Sequence, residues 1–206
     1  EGAWTLAINN GQMTVGTTVA ITLTATDSYN NIAAKMINLA VIAVDYSEQH
    51  MLNRITFGAT PLLTQEVTTI GAVNFLNQQL APNSIDNSDF DTIISNAPLA
   101  NTKDLQAWTL MHMIHSKRQL LEVMTWFWDN HFNTDINTER TNAEGTDLSD
   151  TVQYELAENQ AFRSNALGNF SDLLAISAKS PAMLIYLDSI NNITGDSNEN
   201  YARELM

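Results

Sequence analysis

The hydrophobic pattern changes period once, near Asp45, and that change constrains the fold more than any other feature of the chain. Before it, apolar residues recur at every second position. Thr18-Val-Ala-Ile-Thr-Leu-Thr-Ala-Thr26 alternates Val19, Ile21, Leu23 and Ala25 with small or polar partners, the spacing of a half-buried strand. Residues 27–31 (Asp-Ser-Tyr-Asn-Asn) carry turn chemistry, and residues 33–44 form a second β-rich run with Ile37, Leu39, Val41 and Val44. These two runs predict a hairpin. Residues 4–8 offer a third strand, set off by Asn9-Asn10-Gly11, and three strands are too few to close a sandwich.

After Asp45 the period is helical. Ser47 is placed to cap a helix through His50, Leu52 and Ile55, ended by Gly58. Further helices are expected over residues 71–80 and in a short stretch around Ile93. The two strongest run over 104–115 and 118–132, and a long polar loop over 133–147 separates them from helices at 148–166 and 170–178. Ser180-Pro181 reads as an N-cap followed by proline at the first helical position, opening a short helix to Leu187, and residues 198–206 begin another. The expected architecture is therefore mainly α, a multi-helix bundle-like domain over 46–206 preceded by a β segment over 1–45.

Charge narrows the function classes. Nine Lys and Arg against 23 Asp and Glu give a net charge of −14, which repels phosphate backbones and anionic lipid, so nucleic acid is excluded as a partner. There is no cysteine, hence no disulfide, thiolate nucleophile or thiolate zinc site. No apolar run approaches the roughly 20 residues that cross a bilayer.

Several polar groups interrupt the helical periods. In the 104–115 helix, Ala107, Leu110, Met111 and Ile114 make the core stripe, and His112 and His115 lie beside it at i, i+3. That pair reads either as candidate metal ligands or as two packed, hydrogen-bonded imidazoles. In the next helix Leu120, Met124, Phe127 and His131 share a face, which turns His131 inward as a structural hub or a tuned acid/base group. Glu199 and Arg203 have the favourable order for an i, i+4 ion pair, and Asp196 with Glu199 has capping-box spacing. Glu199 and Arg203 together with Asn198, Asn200 and Glu204 put five polar groups into the seven residues 198–204. His131, Glu199, Arg203 and Glu204 are the candidate catalytic residues. Asp188, Asn192, Asp196 and Glu199 fall on four places of a helix-loop-helix calcium loop, but Ile190 and Ile193 stand where an oxygen ligand and a glycine are needed. Asn192-Ile-Thr194 fits the glycosylation sequon. Neither a phosphate loop nor a nucleophile elbow is present.

Residues 54–58 (Arg-Ile-Thr-Phe-Gly), 126–132 (Trp-Phe-Trp-Asp-Asn-His-Phe), 163–174, 181–188 and 198–206 follow one another in an order that resembles the bacterial domain of unknown function 1800 family. The β runs of 1–45 resemble the last strands of an immunoglobulin-like repeat of bacterial surface proteins. The resemblance implies an exported, largely helical protein, extracellular, at the cell surface or periplasmic. It also implies that a further helical region follows the last block, and that the missing strands of the β module lie upstream. It assigns no catalytic residue, cofactor or ligand. Two readings follow, a binding or assembly component with a protein or polysaccharide partner, and a secreted hydrolase of extracellular polymers using His131, Glu199, Arg203 and Glu204. The hydrolase requires His131 and the Glu199/Arg203 cluster around one solvent-accessible point.

Overall fold

The computed structural model describes residues 18–26, 29–40, 46–136, 150–195 and 197–205. Contacts divide the chain into two units, 1–49 and 50–206. In the first, β1 (Thr18–Thr26) pairs antiparallel with β2 (Ile32–Ala40), from Thr18 opposite Ala40 to Thr26 opposite Ile32. This is the expected hairpin, and in its connection Asn30 takes a left-handed φ of 62°, which asparagine tolerates better than most residues. The third expected strand, at 4–8, lies outside the described residues, as do Val41 and Val44.

From Tyr46 on, the α-helices of the described residues are α1 (Tyr46–Ile55), whose last six residues open the second unit, α2 (Pro61–Ile70), α3 (Ala72–Leu80), α4 (Ser88–Ser95), α5 (Thr102–His115), α6 (Gln119–His131), α7 (Thr151–Asn165), α8 (Phe170–Lys179), α9 (Pro181–Tyr186) and α10 (Asn200–Glu204). Two starts differ from expectation. The helix α1 begins at Tyr46, so Ser47 lies inside it and does not cap it. The sequence reading passed over α2 entirely, although Thr60-Pro61 marks its start: Thr60 is extended, its hydroxyl accepts from the Leu63 amide at 3.2 Å, and Pro61 occupies the first turn.

Three apolar clusters hold this unit together. Leu52, Val67 and Phe75 join α1 to α3. Phe90 and Ile94 of α4 meet Leu105 and Trp108 of α5 and Leu156 of α7. Phe132, Phe162 of α7, Leu173 of α8 and Met183 of α9 form the third. Each fully buried Phe or Leu contributes about 1.5–3 kcal/mol. Polar side chains tie the clusters across loops: Gln79 accepts from the Leu120 amide at 3.1 Å and donates to the Lys117 carbonyl at 3.0 Å, and Gln119 donates to Ser116 O at 2.7 Å while accepting from the Phe57 amide at 3.1 Å.

The buried faces of α5 and α6 are not those expected. On α5 the inward residues are Leu105, Trp108 and His112, whereas Leu110 and Ile114 are 54% and 69% exposed. Apolar residues surround this helix, so two overlapping stripes compete, and the one that brings His112 to a partner is the one buried. On α6 the buried residues are Gln119, Leu120, Glu122 and Thr125, while Phe127 is half exposed and His131 is exposed. The imidazole of His131 therefore does not point into the core.

Candidate functional site

Two polar constellations stand out, and they differ in access to water. The first is a buried seam where α5, α6 and α7 meet. Glu122 of α6 is 4% exposed and receives bonds from both sides. His112 Nδ1 lies 2.9 Å from Glu122 Oε1, and Arg163 of α7 donates from Nε to Oε2 at 3.0 Å, with a second guanidinium nitrogen also at 3.0 Å. Arg163 also donates to Asn159 Oδ1 at 2.7 Å, and Asn159 Nδ2 donates to Asp129 Oδ1 at 3.1 Å. The Arg163 guanidinium lies 4.7 Å from the Trp108 ring centroid, within cation–π range.

Burial opposes the Glu122 charge, but the His112 hydrogen bond and the Arg163 cation outweigh it, so its carboxyl stays below the usual range. An ionised Glu122 makes His112 Nδ1 the donor. His112 Nε2 is buried without a hydrogen-bond partner, the ring packing against Trp108 at 4.3 Å and Phe90 at 5.1 Å between centroids. The cavity beside Glu122, Asp129 and Arg163 holds about 10 Å³, room for at most one water. On the other side of the seam His112 and Arg163, with Ile94, Leu99, Trp108 and Gln160, line an open pocket of about 460 Å³, so the Glu122 carboxylate is enclosed while its two partners border a space that solvent can enter.

Further along the interface of α6 and α7 the carboxyls of Asp129, Glu155 and Glu158 are dominated by burial. Burial pushes Asp129 up, with the Asn159 bond and Arg163 offsetting it in part. Burial likewise raises Glu155, helped by Asp129 and Asp135 and tempered by the Thr134 hydroxyl, which donates at 2.7 Å. Glu158, 5% exposed, is pushed up to about 8, first by burial and then by Glu155 and Asp129. The Ser180 hydroxyl at the start of α9 tempers that rise, yet the contact falls short of regular hydrogen-bond geometry, since Glu158 Oε1 and Ser180 Oγ are both buried without a partner. Ser180 was expected to cap α9. It occupies the cap position with extended backbone, but its hydroxyl makes no cap bond.

The second constellation is open. A cleft of about 470 Å³ lies between the end of α6, α8, α9 and α10, within the size range of ligand sites. His131, Phe132, Phe170, Met183, Tyr186, Tyr201 and Glu204 are among the residues that line it. His131 sits in a collar of rings, stacked on Phe127 at 6.1 Å and edge-on to Phe132, Trp128 and Phe170 at 4.8, 5.7 and 6.0 Å. Trp128 is fixed by its indole N–H donating to Ala166 O at 2.9 Å, and the Tyr201 hydroxyl lies 3.3 Å from Ser177 Oγ. The Asn198 amide group donates to Leu187 O at 3.1 Å, which ties the loop before α10 to the end of α9.

The expected site residues thus separate. His131 and Glu204 share the cleft. Glu199 and Arg203 pair with each other on an exposed face and are not part of its lining. His112 and His115 flank the same Phe90 ring, but His112 is committed to Glu122, the carboxylate partner that the sequence reading did not find. Among the described residues no group of three or more His, Asp or Glu is arranged to hold a metal ion. Of the calcium-loop residues, Asp188 accepts from Asn191 at 2.8 Å and Asn192 accepts from the Asn198 amide, while Asp196 lies outside the described residues. Sequence reasoning missed Glu122, Asp129, Glu158, Asn159 and Arg163. The signal was a polar stripe, Glu122, Thr125 and Asp129 at i, i+3, i+7, facing a second one on α7.

The DUF1800 family, described as a protein of unknown function, matches residues 50–206, and the chain belongs to it. No curated protein matches the chain, and neither does any solved structure. No helix among the described residues is long and apolar enough to cross a membrane.

Proposed function

We propose that this chain is an exported binding or assembly component of the bacterial cell surface, in which an immunoglobulin-like β module precedes the helical domain and a polysaccharide segment seats in the His131 cleft. The observation that carries the reading is the cleft itself: aromatic walls from Phe170, Tyr186 and Tyr201, with His131 and Glu204 supplying polar groups. Apolar ring faces joined to a few fixed polar groups are what a small-ligand site needs. The charge of −14 and the antiparallel hairpin support an exported surface protein.

The test is titration of the chain with soluble cell-surface polysaccharide fragments, read by tryptophan fluorescence and calorimetry, for the parent and for Phe170→Ala. Saturable binding lost in the variant supports the reading. Binding that survives Phe170→Ala, or none at all, overturns it, and capture of a protein in place of a glycan moves the partner to the other class.

A hydrolase is the second reading, favoured by the shared position of His131 and Glu204 in one cleft. It requires His131→Ala and Glu204→Gln each to abolish turnover of a fragment that still binds. Glu199 and Arg203 have no part in this version.

A further inference from the structure

The carboxyl of Glu158 is buried where α7 meets the start of α9, and nothing in the cleft reading uses it. The charged groups that act on it are all carboxyls. From α6 it faces Asp129, from its own helix Glu155, and from α9 the Ser180 hydroxyl. The nearby cation, Arg163, is bonded to Glu122 and Asn159. From α5 the titratable group at this interface is His112, also committed to Glu122. From α8 comes the buried hydroxyl Ser177, while Asp172 and Lys179 of that helix are exposed. Glu158 Oε1 and Ser180 Oγ each lack a hydrogen-bond partner. A buried carboxyl with no cation and two carboxyl neighbours stays neutral until alkali removes its proton.

We propose that Glu158 and Ser180 form a pH-sensitive latch between α7 and α9, closed while Glu158 carries its proton and loosened when it ionises. A proton on Glu158 lets it donate toward Ser180 Oγ. Loss of that proton leaves a third negative charge beside Asp129 and Glu155, and at the buried Glu158 Oε1 the charge is relieved only by water entering between the helices. The helix α9 is the element that yields, because it is six residues long and its Ser180 cap position makes no side-chain cap bond, whereas α7 runs for 15 residues and is anchored by the Glu122–Arg163 pair. Met183, Tyr186 and Leu187 form one wall of the cleft, so the latch sets the shape of the ligand site. This last step rests on the cleft being a binding site. The latch itself does not.

The test is amide hydrogen exchange on the full chain without ligand, expressed as protection factors from about pH 6 to about pH 10, for the parent and for Glu158→Gln. The amides of Leu184 and Leu187, which donate to Ser180 O and Met183 O, report on α9. Their protection is expected to fall at least ~10-fold relative to amides of α3 in the parent, with no such fall in Glu158→Gln. An equal fall in the variant, or none in the parent, overturns the proposal. A ¹³C titration of the Glu158 carboxyl in the unmutated chain needs no variant: a midpoint near 8 coincident with the loss of protection sustains it, and a midpoint in the ordinary carboxylate range overturns it. Neither measurement contains ligand, so failure here leaves the cleft reading standing, and failure of glycan binding leaves the latch standing.

Discussion

The seam around Glu122 and the cleft around His131 lie at opposite ends of one helix, α6, and each combines a histidine with carboxyl groups and aromatic rings. They differ in what faces the imidazole. His112 is buried against two rings with its Nδ1 held by an ionised carboxylate; the cavity beside Glu122 admits at most one water, while His112 and Arg163 border an open pocket of about 460 Å³ on their other side. His131 is exposed, is ringed by Phe127, Trp128, Phe132 and Phe170, and opens on about 470 Å³. A charge sealed from solvent acts on the fold, because removing its partner leaves an uncompensated ion in a dry place. An imidazole beside an open apolar cleft acts on whatever enters. Clustering of chemically potent residues therefore does not by itself mark a functional site. Access to water at the carboxylate, closed to Glu122 and open to Glu204, distinguishes the two.

The strongest way to break this comparison is to truncate the seam. Glu122→Ala strands Arg163 and His112 together and is expected to destabilise the chain by about 3–5 kcal/mol, measured by urea unfolding. Any ligand response of the cleft should survive in whatever fraction stays folded. Loss of less than about 1 kcal/mol would mean that water reaches the seam and that the sealed description is wrong.

The pH dependence is the next largest effect, and its two contributions have opposite sign. Glu122 has a folded pKa below its unfolded value, so its stabilisation is present above the ordinary carboxylate range and is lost as pH falls through the folded value. Glu158 has a folded value of about 8 against an ordinary 4.5, so the folded state holds a proton that the unfolded state has released. Its contribution is complete below the ordinary value and is lost progressively as pH rises toward 8, at up to about 1.4 kcal/mol per pH unit. Asp129 and Glu155 are raised as well and add to the same trend. Chemical denaturation across this range should show stability declining from mildly acid toward pH 8, and Glu158→Gln should flatten the decline. A parent whose stability rises over the same range would refute the assignment.

Much of the fold was legible in the sequence because its starts and stops are local. The β hairpin and most helix boundaries follow from period, glycine and proline, and Thr60-Pro61 is a local start signal of the same kind for α2. The helix faces were harder. On α6 the apolar period placed Leu120, Met124, Phe127 and His131 inside; Leu120 is buried, but Phe127 and His131 are exposed and Glu122 and Thr125 are buried, with Asp129 partly so, because the partners Arg163 and Asn159 arrive from α7, about 30–40 residues away in sequence. Apolar periodicity cannot see a buried polar stripe whose partners lie on another helix. The same cause hid the carboxylate beside His112. The pairing of Glu199 with Arg203 needed only the i, i+4 rule and was legible.

The cleft side of the comparison rests on smaller effects. His131→Ala and Phe170→Ala remove exposed or half-exposed rings, so each should cost no more than about 1 kcal/mol of stability while abolishing any binding carried by the cleft. Arg203→Ala is the weakest probe. Its ion pair with Glu199 is two-thirds exposed on both sides, and such pairs are worth less than about 0.5 kcal/mol. Glu204 lines the cleft one residue further along α10 and Arg203 does not, so Arg203→Ala should leave both unfolding and binding unchanged. A loss of binding in Arg203→Ala, measured beside Glu204→Gln, would place the ion pair at the ligand and extend the site onto the outer face of α10.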